Sequence, residues 1–405
     1  MRITYLGINY SPEPTGIAPY AATLTRSLAA AGHQVSVVTG FPHYPQWRVA
    51  EGFSGSSRRS TEAGVRVLRL NHYVPRRPSL VRRALMELSF GVRAVFSRWS
   101  RPEAIVVATP ALLSAALVLL RARLAGVPAV VWVQDIYTLG LVQTAGPSRA
   151  ERLLRRLESW AVGSPAAVVA IHDRFRSFLV GQLGADAGTV AVIRNWTHLP
   201  GDPPGRSEEF RARHGWRPDD VVVLHAGNMG AKQGLENVVA AARLAGERGS
   251  TVRFVLLGDG NQRAALEQLG GGPRLQFIPP LPDEDFQLAL SSADVLLVNE
   301  LPGLTEMSVP SKLTSYFNTG LPVLGAVDEA SVTAAELAAA GGAVRVDAAA
   351  PAALLEAAEQ LGSDRAAALA LGARNREFKD RQLSQAAAVA AFERILQSVR
   401  TPRSR

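Results

Sequence analysis

There is no cysteine anywhere in the 405 residues, which excludes disulfides, thiolate nucleophiles and cysteine-ligated zinc. That absence favours a reducing compartment. Histidine is scarce, at seven, and no pair stands in an H-x-H or H-E-x-x-H spacing, so no metal site is expected. Long apolar runs are missing as well. The longest, PALLSAALVLL from Pro110 to Leu120, falls far short of the roughly 20 residues that a membrane span needs. The opening MRITYLGINY reads as a core strand, without the charged and then apolar regions of a signal peptide. The expectation is a soluble, cytoplasmic protein. The loop after that first strand also lacks both familiar phosphate fingerprints, G-x-G-x-x-G and G-x-x-x-x-G-K-[ST].

What is present is ample apolar content, 47%, in a chain too long for one core, since single cores rarely exceed about 250–300 residues. Lysine and arginine number 44 against 35 acidic residues, a formal charge of +9. Such an excess suits an anionic partner: nucleic acid, a phosphorylated ligand or lipid headgroups. The arginines are spread widely and no nucleic-acid module is recognisable, so nucleic acid is not expected as a partner.

Short apolar strands alternate with helical patterns along most of the chain. The first set is Ile3–Ile8, Gln34–Thr39, Val65–Leu70, Ala104–Ala108, Ala129–Val133, Ala167–Ile171 and Val190–Ile193. A Pro/Gly-rich linker, NWTHLPGDPPGRSEEF, begins at Asn195. The second set is Val221–His225, Val252–Leu257, Leu275–Ile278, Val295–Val298, Pro322–Gly325 and Ala343–Val346. Continuously apolar strands separated by helices indicate parallel sheets covered on both faces. The expected fold class is therefore α/β, with two Rossmann-like doubly wound domains facing a central cleft. Their expected bounds are 1–198 and 205–380. A tail pattern from Arg381 to Val399, apolar at Leu383, Val389, Phe392, Ile395 and Leu396, predicts one helix packed back on either domain.

In such sheets ligands sit beyond the carboxyl ends of the strands. The first such loop, NYSPEPTGIAPY, puts Gly16 just before a helix whose free N–H groups suit a phosphate oxygen. A plain tight turn explains the same spacing. After the first strand of the second set come Gly227, Asn228, Met229, Gly230, Lys232, Gln233 and Gly234. Small residues permit close backbone approach, and Lys232 and Gln233 are placed to donate to a diphosphate. Gly258-Asp259-Gly260 repeats the arrangement one strand later, although Asp is also a common helix cap.

The densest loop is ELPGLTEMSVPSKLTSYFNTGLPVLG, with Glu300, Glu306, Ser311 and Lys312 before or at the start of a helix. A lysine there opposes the helix dipole unless an anion sits beside it. Glu306 suits sugar hydroxyls, or is a solvated loop carboxylate. PDED, from Pro282 to Asp285, reads as a first helical turn rather than a metal site. VVWVQDIYTLG places Gln134 and Asp135 at a strand end, where a carboxylate orients a hydroxyl, stabilises positive charge or merely caps the loop. FPHYPQWRV offers His43, Tyr44 and Trp47 for stacking on a sugar or for packing under a neighbouring loop. Arg76 to Arg101 carries an apolar stripe at Val81, Ala84, Leu85, Leu88, Val92, Val95, Phe96 and Trp99, bordered by arginines. It reads either as a core helix with a basic outer face or as a helix for an anionic membrane surface.

GINYSPEPTGIAPY, GHQVSVVTGFPHYPQW, AGNMGAKQGLENVVAAA, LLGDG and VPSKLTSYFNTGLPVL occur in that order over most of the chain. Together they resemble the retaining glycosyltransferase family 4, within it the colanic-acid type of exopolysaccharide enzymes. The resemblance implies a GT-B fold, with the nucleotide-sugar mostly on the second domain and the acceptor mostly on the first. It also implies a C-terminal helix, 381–400, crossing back to the first domain, and no metal or other cofactor. Where the family often has Arg and Lys, this chain has Asn228 and Gln233; its Glu-x7-Glu places hold Met307 and Ser315, and a frequent His is Gln134.

The resulting expectation is a hexosyl transfer from a nucleotide-diphosphate-sugar to a lipid-linked or oligosaccharide acceptor. Asp135, Glu306 and Lys312 are the expected catalytic residues. Gly16, Gly227, Asn228, Lys232, Gln233, Gly258, Asp259, Ser311 and Ser315 are expected at the donor, and His43, Tyr44 and Trp47 at the acceptor. Peripheral contact with the inner face of the plasma membrane is expected through 76–101. The alternatives are a GT-B nucleotide-sugar epimerase and a non-catalytic sugar-nucleotide-binding protein on the same scaffold.

Overall fold

The computed structural model describes residues 1–14, 16–109, 111–139, 149–197, 202–304 and 311–400, with backbone only at 149 and 150. The chain divides into two compact units, Met1–Trp196 with Gln385–Arg405, and Thr197–Ser384.

In the first unit the order is β1 (Arg2–Leu6), α1 (Ala18–Ala30), β2 (Gln34–Gly40), β3 (Ser57–Glu62), β4 (Val65–Leu70) and α2 (Leu80–Phe96). It continues through β5 (Ala104–Ala108), α3 (Leu112–Leu124), β6 (Ala129–Val133), α4 (Arg149–Gly163), β7 (Ala167–Ala170), α5 (Asp173–Gly181) and β8 (Val190–Val192). The sheet order is β3-β4-β2-β1-β5-β6-β7-β8. Strands β1, β5, β6 and β7 are buried almost throughout, as strands covered by helices on both faces must be. The order reverses at β1, between β2 and β5, so the loops after β1 and β5 flank the topological switch.

Strand β3 is absent from the expected set, and it pairs antiparallel with β4. Its sequence, SRRSTE, is mostly exposed. An edge strand with one solvated side needs no apolar run, so apolar patterning does not reveal it.

In the second unit follow α6 (Glu208–Arg213), β9 (Val221–Ala226), α7 (Glu236–Glu247), β10 (Val252–Leu257), α8 (Arg263–Leu269), β11 (Leu275–Ile278), α9 (Asp283–Ser292) and β12 (Val295–Asn299). The unit ends with α10 (Lys312–Thr319), β13 (Val323–Ala326), α11 (Val332–Ala340), β14 (Ala343–Val346), α12 (Pro351–Ser363) and α13 (Arg365–Gln382). All pairings in its sheet are parallel, in the order β11-β10-β9-β12-β13-β14. One apolar cluster covers each face: Val222, Leu224 and Val255 on one side, Val223, Phe254 and Leu256 on the other. The switch lies between β9 and β12.

The tail is two helices rather than the single one expected. Helix α13 stops at Gln382 and α14 runs Gln385–Val399. Leu383, counted with the tail stripe, joins the core of the second unit. Phe392 is fully buried in the first unit, edge-on to Trp132 at 4.9 Å, while Trp132 stacks on Trp196 at 6.1 Å. Burying a ring of this size contributes up to about 3 kcal/mol, which is what fixes α14 there. Among the described residues no helix is long and apolar enough to cross a membrane.

Candidate functional site

At the carboxyl edge of the second sheet, two glycine turns touch. A Cβ added to Gly258 would stand 2.0 Å from the Gly227 carbonyl oxygen, and one on Gly260 would stand 2.4 Å from that of Met229. Gly227 and Gly258 have φ of 128° and 133°, values that side chains rarely adopt. The turns are tied by hydrogen bonds: Gly227 N–H donates to Leu257 O at 2.9 Å and Met229 N–H to Asp259 O at 2.8 Å. A bare backbone floor results, lying beside the switch between β9 and β12.

Over that floor runs Lys312, the first residue of α10. Its Cε and Nζ lie 3.7 Å from where a Gly227 Cβ would stand. Nζ is 3.1 Å from Nε2 of His225, a fully buried residue near the end of β9. Burial lowers the Lys312 ammonium to a pKa of about 7, against the opposing pull of Glu300. Burial and the adjacent Lys312 hold His225 well below its usual value, so it stays neutral. Glu300 in turn is pushed up by burial, even though Thr333 donates to it at 2.6 Å and Lys312 favours its charge. This amine is a cation only half-committed to its charge.

A pH dependence follows from those values. An anion placed beside Lys312 raises its pKa again, so binding takes up a proton at pH values above about 7. The affinity for a diphosphate ligand is expected to fall as pH rises from about 7 to 9, by up to tenfold per unit. Calorimetry in buffers of different ionisation enthalpy checks it: proton uptake near pH 8 in the native chain, and none in Lys312→Met.

The loop that carries Lys232 is held from below. Asn299 donates through Nδ2 to the carbonyls of Gln233 and Gly234, at 2.8 and 2.9 Å, and accepts from Asn237 at 2.8 Å. Leu301 N–H donates to Lys232 O at 2.8 Å. Asn228, Lys232 and Asp259 are exposed, with room to reach a ligand. Gln233 is half-buried, its Oε1 accepting from Gly230 N–H at 3.0 Å, which ties the side chain to its own loop. Ser311 is exposed, whereas Ser315 is buried within α10 and does not present its hydroxyl at the surface. Glu306 and Met307 lie outside the described residues. Neither His225 nor Asn299 stands out in the sequence. Only the ladder geometry, which puts β9 beside β12, brings them under the loop.

The first unit gathers a second group at its own strand ends. Glu13, 5% exposed, accepts from the backbone N–H of His43 and Tyr44, at 2.8 and 2.9 Å, and from Asn9 at 2.8 Å. This buried carboxylate, overlooked in the sequence, fixes the aromatic loop. His43 is buried edge-on to His72 at 4.9 Å, so its ring lies inside the loop rather than at the surface. Tyr44 is exposed and packs edge-on to the partly exposed Trp47 at 5.9 Å. The Arg83 guanidinium lies 5.6 Å over the Trp47 ring.

Asp135 is half-buried, and its charge, with that of Glu13, helps burial raise the Tyr44 phenol pKa against Arg83. Gln134 is paired amide to amide with Asn195, at 3.1 and 2.8 Å. Glu87 of α2 accepts from Leu113 N–H at 2.9 Å, and burial pushes its pKa up to about 7. Gly16 has φ of 64° with nothing within 4 Å of an added Cβ. Its requirement for glycine is conformational, not steric.

Comparison with known proteins places both units. Residues 15–196 match the family described as Glycosyl transferase 4-like domain, and residues 206–378 the family described as Glycosyl transferases group 1. WcaI of Escherichia coli K12, named for glycosyl transfer in colanic acid biosynthesis, is 32% identical over 337 residues, covering 79% of this chain and 82% of its own. WbjE of Pseudomonas aeruginosa, named as a glycosyltransferase, is 29% identical over 244 residues, covering 58% of this chain and 59% of its own. Among solved structures, HepE of Anabaena in complex with UDP superposes with a TM-score of 0.72 at 15% identity, over 98% of this chain and all of that one.

Proposed function

The chain belongs to the GT-B glycosyltransferases of the family 4 type, and on that premise we propose that it moves a hexose from a nucleoside-diphosphate donor to a lipid-linked or oligosaccharide acceptor with retention of configuration. The observation that carries this reading is Lys312, partly buried over the bare Gly227–Gly258 floor. Desolvation penalises the charge of this half-buried amine, and a diphosphate beside it would favour the charged form again. The bare Gly227–Gly258 floor lets the two phosphates approach the backbone, and Lys312 with the exposed Lys232 holds them without a metal ion or other cofactor. UDP is bound by the Anabaena relative, which supports a nucleoside diphosphate as the carrier.

In the reaction the bond from the anomeric carbon to the donor phosphate oxygen breaks as the acceptor oxygen attacks from the same face. The acceptor proton passes to the departing phosphate oxygen. Lys312 stabilises the charge that grows there. In the first unit, Tyr44 and Trp47 stack on the acceptor sugar, and Asp135 orients its hydroxyl. The name of the Escherichia coli relative supports a role in exopolysaccharide assembly; we place the reaction in the cytoplasm, at the inner face of the plasma membrane.

The test is a transfer assay with nucleotide-sugars and membrane-extracted acceptors, following both nucleoside diphosphate release and product anomer by NMR. Acceptor-dependent release with the donor's anomeric configuration kept is expected. Inversion would overturn the retaining assignment. Release and epimerisation without acceptor would make the protein an epimerase, and binding without turnover would leave it a sugar-nucleotide-binding protein.

A further inference from the structure

Just beyond the carboxyl end of β6 the chain is gripped by a carboxylate that takes no part in the chemistry above. Glu158 of α4 is 4% exposed. Its Oε1 accepts from the backbone N–H of Tyr137 at 2.7 Å, and its Oε2 from that of Thr138 at 3.0 Å. The Thr138 hydroxyl donates to Oε2 as well. Burial pushes the Glu158 pKa up, and these three donors, with Arg155, oppose the shift. Hydrogen bonds to a carboxylate are roughly twice as strong as those between neutral groups, so two successive residues are held firmly.

Asp135 lies just before them and is held on its other side too. Gln134 N–H donates to Thr109 Oγ1 at 3.1 Å, and the Gln134 side chain is the one paired with Asn195. Between the two holds Ile136 is buried, while Asp135 and Tyr137 stay partly exposed.

The Tyr137 side chain is fixed in turn. Burial, and then the charge of Glu87 to which the phenol is hydrogen-bonded, raise its pKa to about 12. Helix α2 carries Glu87 inward with Met86, Phe90 and Ala94, packed on α3 so closely that a Cβ on Gly91 would stand 2.8 Å from Ser114 Cα. The stripe read from the sequence as its core face, Val81, Leu85, Leu88, Val92 and Phe96, is exposed instead. One turn before Glu87 stands Arg83, whose guanidinium lies over Trp47. Its charge acts on Glu87, Tyr137 and Tyr44, and the charge of Asp135 acts on Tyr44. Asp135, Tyr137, Arg83 and the Tyr44–Trp47 pair therefore form one cluster within the first unit.

On the acceptor role given to Asp135 above, we propose that Glu158 is a positioning residue for the transfer. By holding the amides of Tyr137 and Thr138 it sets the place of the Asp135 carboxylate against the Tyr44–Trp47 platform. It does not touch the acceptor itself. A carboxylate suits this task because its two oxygens meet three donors. Glutamine would offer a single acceptor oxygen and turn an NH2 group toward a donor. A carboxylate that merely secured the fold would, on removal, weaken donor and acceptor use alike.

The test is initial-rate kinetics on Glu158→Gln, Asp135→Asn and the double variant, with the nucleotide-sugar and membrane-extracted acceptor that turn over in the transfer assay. Glu158→Gln should lose about 10–100-fold in kcat/KM for the acceptor. Its donor KM and UDP affinity should not change, since Lys312 and the glycine floor belong to the second unit. In the Asp135→Asn background the same substitution should cost less than about threefold, because residues that act through one another are not additive. Thr138→Val, which removes one donor to Glu158, should lose part of the acceptor kcat/KM and Thr138→Ser should keep it. That pair reads the same hold even where Glu158→Gln does not fold. Amide exchange reads it without an acceptor: Tyr137 and Thr138 should exchange about tenfold faster or more in Glu158→Gln. The proposal falls if the costs of the two substitutions multiply independently, if donor and acceptor parameters fall together, or if those amides exchange equally in both chains. Native transfer by Asp135→Asn would instead overturn the reading of Asp135 on which the proposal rests.

Discussion

Lys312→Met is expected to weaken nucleoside diphosphate binding about 10–150-fold at pH 7 while leaving the fold intact or slightly firmer. Methionine keeps the length and apolar stem of lysine but carries no charge. What is lost is a charged donor to phosphate, with a value of about 1.5–3 kcal/mol. In the folded apo chain the same amine is penalised by burial beside neutral His225. Lys312 has a lower pKa folded than unfolded, so between about 7 and 10.5 the unfolded chain binds the extra proton and stability rises with pH. Methionine abolishes that slope and removes the burial cost below it. The transfer rate is expected to fall further than binding does, about 10²–10³-fold, because charge on the departing phosphate is greatest in the transition state. Thermal melts, UDP titrations and turnover measured side by side distinguish this from simple unfolding. If Lys312→Met binds and transfers as the native chain does, the amine is not at the donor phosphates.

The second large effect is expected at Gly258. Gly258→Ala places a methyl 2.0 Å from the Gly227 carbonyl oxygen, against backbone rather than a side chain that can swing aside. It also sits at φ 133°, outside the range of L side chains. Both turns must move apart. The cost is about 3 kcal/mol, or a Tm lower by roughly 6–12 °C for a unit of this size. Donor binding should vanish with the floor. Gly16→Ala makes the informative contrast: it also has positive φ, at 64°, but open space around it. About 1 kcal/mol of backbone strain is its whole stability cost. Equal melting temperatures for Gly258→Ala and the native chain would show that the two turns do not meet.

Much of the fold is legible in the sequence because its strands are buried on both faces. An apolar run such as AIVVA or AVVWV has few other uses when helical patterns flank it. Strand β3 escapes for the opposite reason: SRRSTE lies on an edge and its pairing depends on the neighbouring β4 rather than on its own composition. The tail break at 383–384 escapes because Leu383 fits the helical period equally well inside either core. Helix α2 shows the limit most clearly. Its period identifies the helix, but which of two apolar rows faces inward is decided by α3, packed at Gly91.

The site divides in the same way. Glycine turns and a lysine at a helix start leave a local mark, so Gly227, Gly258 and Lys312 are visible as residues. What makes Lys312 chemically unusual is not local. His225 lies 87 positions earlier in the chain and reaches it only through the β9–β12 adjacency. Glu13 under the aromatic loop is similar: a carboxylate in SPEPTG reads as a loop residue until its acceptors are seen to hold His43 and Tyr44. Residues that touch a ligand tend to sit in recognisable turns, whereas those that set charge and orientation come from wherever the sheet order brings them.

The measurement that tests the central claim most directly is a thermal-shift panel of nucleoside diphosphates and nucleotide-sugars on the native chain and on Lys312→Met. The account predicts that at least one nucleoside diphosphate raises the native Tm, since a ligand bound at 100 times its Kd adds about 2.7 kcal/mol, and that the shift is largely lost in Lys312→Met. Stabilisation by none of them, or equal stabilisation of both proteins, would contradict it.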